Sequence, residues 1–177
     1  MGAEDRTWRA YLSAAATATA PVRHARERIG TGPWHNAHGV LIASDPAALH
    51  GDNNLTKETA LTELGDAVNG RGDSPNRHDI LTGSRTDGSA FDGDGDLTCG
   101  NWTSSTAGSA QLGHHDRTGG GTDPTSWNSA HASRGCSPSD LRGTGGDGLF
   151  YCFALPVGTS VGSSSWGAAK EGSKRGN

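Results

Sequence analysis

The sequence is short of nearly everything from which a large aliphatic core is made. Leu, Ile, Val and Phe together supply only 23 of its 177 residues, and aromatic residues only 6%. In a strongly charged chain that poverty would imply disorder, but the net charge is only −4. The preferred alternative is one compact, loop-rich domain in which tryptophan, backbone turns and disulfide bonding replace an aliphatic core. No apolar run approaches the roughly 20 residues needed to cross a bilayer, and no charged-then-apolar leader opens the chain. A pI near 6.0 with scattered charge gives no nucleic-acid footprint. Paired C-x-x-C and H-x-x-x-H spacings are missing, which removes the usual zinc frameworks. The glycine runs at 119–122 and 143–147 lack both the lysine and the following helix that a phosphate loop requires.

What the chain does have is 28 glycines, eight histidines, five tryptophans and three cysteines. The cysteines sit in Cys99-Gly-Asn-Trp102, at Cys136, and in Leu149-Phe-Tyr-Cys152-Phe-Ala, an apolar run that reads as a buried strand. Three cysteines in a Gly-rich chain read as a disulfide framework rather than a metal site, and the odd count leaves one thiol over. Alternation from Trp8 to Ser13 predicts a strand, and 14–28 offers only short helical pieces because Pro21 interrupts it. Gly39–Ala43 reads as a short buried strand. Ser44–His50 reads as a capped helical turn, with Asp45 ahead of Pro46. Thr56–Leu64 is expected to be another short helix, and from Asn69 to Gly148 turns outnumber elements, Ile80–Ser84 excepted. The domain is expected over 5–154, followed by a disordered Gly/Ser-rich tail over 155–177.

Trp8-Arg-Ala-Tyr-Leu-Ser, Leu81-Thr-Gly-Ser-Arg-Thr-Asp-Gly88, Cys99-x-x-Trp102, and Cys136 followed by Phe150-Tyr-Cys152 resemble endostatin, the C-terminal domain of certain collagens. They look closer still to its bacterial relatives, the endostatin-like outer-membrane lectins. The resemblance runs from Asp5 to Ala154 and implies an α+β, C-type-lectin-like fold with two nested disulfides. Cys99 and Cys136 match the inner pair. Cys152 matches the final cysteine, whose partner in the family lies upstream of the strand at Trp8. The resemblance therefore implies that Met1 is not the natural start, and that an N-terminal strand, a helix, a cysteine and an export signal precede it. The blander reading makes Cys152 a small buried hydrophobe. Both readings bury it.

Calcium-dependent C-type lectins hold their ion with a Glu-Pro-Asn-like loop and a Trp-Asn-Asp strand, because calcium needs several hard oxygen ligands. Here Trp127-Asn128-Ser129 replaces the carboxylate and no Glu-Pro-Asn occurs, so calcium is disfavoured and no cofactor is required. A calcium-independent sugar site is expected from Trp102, His115, Asp116, Trp127 and Asn128, through aromatic stacking and hydrogen bonds to hydroxyls. Asp92, Asp94 and Asp96 imitate the start of an EF-hand loop, but Leu97 and Thr103 stand where Gly and Glu are needed. That segment reads as a solvated acidic turn, with a loose calcium site as the alternative. Adjacent residues of an extended chain face opposite ways, so His114 and His115 are not expected to share one metal, and they read as structural or loop histidines. Arg71-Gly72-Asp73 is the tripeptide read by integrins, although a tight Gly-rich turn is the default.

The expectation is a non-enzymatic, carbohydrate-binding, lectin-like module of a secreted, periplasmic or outer-membrane bacterial protein. Its partners would be glycans, with neither nucleic acid nor a transmembrane segment involved. One rival is an adhesion protein binding host extracellular-matrix components. A remoter one is a metal-dependent hydrolase using His114, His115 and Asp116.

Overall fold

Glycine and short polar residues keep every regular element brief. The computed structural model describes residues 6–155 apart from Asp92 and Asp94, and gives a mixed α+β arrangement of small sheets and few helices. The expected tail and the first two aspartates of the acidic turn therefore lie outside the described residues. The first strand, β1 (Trp8–Ala10), pairs antiparallel with the last, β8 (Cys152–Ala154), and Trp8 stands opposite Ala154. A second antiparallel pair joins β2 (Trp34–His35) to β3 (Leu41–Ala43). The third sheet has the order β6 (His131–Ala132), β5 (Gln111–His114), β4 (Asp79–Leu81), β7 (Gly146–Phe150). Its β4–β5 and β5–β6 pairs are antiparallel and β4–β7 is parallel.

The helices are single turns or little more. Helix α1 (Ala25–Arg28) is all that forms of the 14–28 stretch, as the proline there implied. In α2 (Pro46–His50) the Asp45 carboxylate accepts from the Ala48 amide and proline fills the first turn, the predicted cap. The four residues of α3 (Cys99–Trp102) all carry positive φ, from 51° to 67°, a left-handed turn. Such a turn is costly for residues with a Cβ, and three ties hold it. The Cys99–Cys136 disulfide anchors its start, Asn101 exchanges two hydrogen bonds with the Ala15 backbone, and Trp102 Nε1 donates to Ser13 O. Helix α4 (Pro138–Thr144), which the sequence reading had left among the turns, is capped by Ser137 and stopped by Gly145 at φ 115°. Thr56–Leu64 is not a helix. Thr59 Oγ1 accepts from the Thr56 amide and donates to Asn54 O, a local alternative to helical bonding. Leu64 is 82% exposed, and Ala60 is the residue of the segment that packs against the core.

The core is aromatic. Tyr11, Trp34, Trp127 and Phe153 are buried with Ile29, Leu49 and Leu55, and Tyr11 lies 4.9 Å from the Trp127 ring and 5.9 Å from Phe153. A separate small cluster surrounds the disulfide, where Ala110, Leu81 and Trp102 pack against Cys99 and Cys136. Cys152 corrects the expectation of a buried thiol: it is free and exposed. Successive side chains of a strand point to opposite faces, so with Phe153 turned into the core Cys152 points outward. The apolar run around it is likewise one-sided, for Phe150 is 49% exposed.

Candidate functional site

Strand register gathers a group of titratable side chains at one end of the third sheet. Asp79 opens β4 directly opposite His114 of β5, and His131 of β6 stands opposite Leu112 on the other side of β5. His78 precedes Asp79 in the chain. Asp79 is 1% exposed and His114 fully buried. Asp79 Oδ1 lies 3.2 Å from His78 Nε2, 3.2 Å from His114 Nε2 and 3.5 Å from His131 Nε2. Even so, neither Asp79 oxygen nor His114 Nε2 has a hydrogen-bond partner. Buried polar atoms are rarely left in this state, because each costs about 1–3 kcal/mol of lost hydration.

The other nitrogen of each ring is fully committed. His78 Nδ1 contacts Asp116 Oδ1 at 3.2 Å, His114 Nδ1 contacts Pro124 O at 2.9 Å, and His131 Nδ1 contacts Ala132 O at 3.0 Å. A carbonyl or carboxylate oxygen only accepts, so each Nδ1 donates, and in the neutral ring each Nε2 presents a lone pair. The His78 and His114 rings stack at 4.3 Å, and His131 meets His114 edge-on at 5.0 Å.

These imidazoles line a cavity of about 400 Å³, together with Arg71, Asn76 and the backbone of residues 119–121. Gly119–Gly121 of the first glycine run and Thr144 of the second line it. At Gly119 a Cβ would fall 2.7 Å from the His114 ring, and at Gly145 it would fall 3.0 Å from the His78 ring and 2.7 Å from Asn76 Nδ2. Only glycine lets the loops close on the rings this tightly.

Most residues expected to meet a ligand lie elsewhere. Trp127 is 3% exposed within the aromatic core, and Asn128, 1% exposed, donates to Tyr11 Oη and Arg85 O. Trp102 packs beside the disulfide. His115 is buried with Nε2 against Asn69 O, on a different contact from His114, and burial lowers its pKa. Asp116 supports the cluster from behind, accepting from the Arg71 and Thr118 amides as well as His78. Of the acidic turn, Asp96 accepts from the Thr98 and Gly100 amides at the start of α3, whose cap is Thr98. In the Arg-Gly-Asp turn, Asp73 is paired with Lys57 at 2.7 Å and accepts from the Gly70 amide. His78, Asp79 and His131 went unnoticed in the sequence, where no spacing links them. The one available signal was a His-Asp pair directly ahead of the apolar Ile80-Leu81 strand. No protein-family model, curated protein or solved structure matches this chain.

Proposed function

We propose that this chain is a non-enzymatic, C-type-lectin-like module that binds carbohydrate, part of an exported bacterial protein. The endostatin-like resemblance motivates the fold, and the loop-walled cavity beside the third sheet supports the function. At about 400 Å³ it falls within the size range of small-ligand sites. Its lining of Arg71, Asn76, Thr144 and glycine backbone offers donors suited to sugar hydroxyls. Trp127 is a core residue and Trp102 is partly buried beside the disulfide, so recognition rests on polar groups in the cavity rather than on aromatic faces. The cavity histidines contact carboxylate and carbonyl oxygens rather than a hydroxyl or thiol, which favours binding over nucleophilic chemistry. The Cys99–Cys136 disulfide points to an oxidising compartment. Among the described residues no helix is long and apolar enough to cross a membrane.

A glycan array probed with the oxidised protein, with and without a chelator, tests this reading. Retention of bacterial-type polysaccharide is expected, weakened by Asn76→Ala and Arg71→Ala. Absence of binding in both arms overturns it. Retention on laminin or fibronectin instead, abolished by Asp73→Ala, would establish the adhesion alternative.

A further inference from the structure

We propose that His78, Asp79, His114 and His131 form a binding site for a divalent first-row transition-metal ion of the zinc class. Three Nε2 atoms face one buried carboxylate oxygen, and each ring's donor is already spent on the far side. Lone pairs aimed at a carboxylate repel it unless a cation lies between them. That is also what the orphaned Asp79 oxygens and His114 Nε2 lack.

Spacing agrees. Two ligands about 2.0–2.1 Å from a tetrahedral ion sit roughly 3.3 Å from each other, and Asp79 Oδ1 lies 3.2 Å from both His78 Nε2 and His114 Nε2. One ligand atom from each of His78, Asp79 and His114 lies within 4.8 Å of the other two. His131, on the two-residue strand β6 and 21% exposed at its side chain, is the adjustable fourth ligand. Drawing His78 and His114 to one point turns their rings out of the stack they now form.

Ligand chemistry chooses the ion. Imidazole nitrogens with a single carboxylate suit zinc, copper or nickel, whereas calcium and magnesium demand mostly oxygen. The outer contacts match as well. Metal-bound histidines typically donate their second N–H to a carboxylate or backbone carbonyl, which fixes ring and tautomer, and the Asp116, Pro124 and Ala132 oxygens supply these acceptors. This site does not depend on the carbohydrate reading.

The test is calorimetric titration of the chelator-stripped, disulfide-bonded full chain with Zn²⁺ alone. It uses a Cys152→Ser background, since that exposed thiol is itself a zinc ligand. One ion per chain is expected, with calcium giving no heat and the His78 and His114 ring proton resonances shifting on uptake. Asp79→Asn keeps the shape and removes the charge, and His131→Gln alters the partly exposed ligand. Each should weaken Zn²⁺ by at least about ten-fold, since losing a ligand costs no less than losing one of its outer hydrogen-bond partners. No uptake at submillimolar Zn²⁺ by natively folded protein overturns the proposal, and so does unchanged affinity in both variants. Should Asp79→Asn fail to fold, His131→Gln decides alone.

Discussion

The hydroxyl of Tyr11 links two polar side chains beside the aromatic core. It donates to His50 Nε2 at 2.8 Å and accepts from Asn128 Nδ2 at 2.9 Å, while His50 Nδ1 donates to Pro46 O. Burial lifts the Tyr11 pKa above its ordinary value and lowers that of His50. The sign for stability follows. Above the ordinary histidine value of about 6.5 both folded and unfolded chains hold His50 neutral. Below it the unfolded chain takes up a proton first, so His50's contribution is complete above that pH and fades as the pH falls. His131, with its raised pKa, acts in the opposite direction but does so equally in a His50 variant. The urea midpoint of the wild type should therefore drop more between pH 7.5 and 5.5 than that of His50→Gln. Equal drops would remove His50 as a source of acid sensitivity. Trp127-Asn128-Ser129, read in the sequence as a degenerate calcium strand, belongs to this same polar knot.

Among the elements, α4 shows how a helix end can position a site. Gly145 stops the helix at φ 115° and lies where a side chain would strike His78 and Asn76. Gly145→Ala should cost about 1–2 kcal/mol in urea denaturation through the left-handed backbone, with weaker Zn²⁺ binding as His78 is pushed aside. Gly120→Ala, whose Cβ would meet nothing within 4 Å, is the control and should cost under about 0.5 kcal/mol. Similar losses in both would mean that the loops yield rather than clamp. The cap of α2 was legible in the sequence because Asp45 and the Ala48 amide bond within one turn, whereas the similar Ser137-Pro138 cap of α4 stood in a stretch where turn residues dominate. The Thr56 segment misled, because threonine hydroxyls serve a helix cap and a competing turn equally well.

For the whole molecule, a core so poor in aliphatic side chains leans on rings and on one covalent tie. The disulfide spans a sequence separation of 37, and closing such a loop removes about 4 kcal/mol of unfolded-chain entropy. Replacing both Cys99 and Cys136 by serine should lower the melting temperature sharply and loosen α3, whose left-handed turn begins at Cys99. A thermal scan showing no change would make the bond incidental.

Local and compositional features can be read from the residues alone: short elements, the cap of α2, the strand at Trp8, tryptophan in place of aliphatic residues, and cysteines inclined to pair. Each depends on residue type or near-neighbour spacing, which survives in a linear string. Which thiol stays free and outward, and which groups surround Asp79, depend on long-range packing. His78, His114 and His131 reach one carboxylate through strand register and glycine-walled loops. Register is set by packing across the sheet, and no local pattern of residues records it.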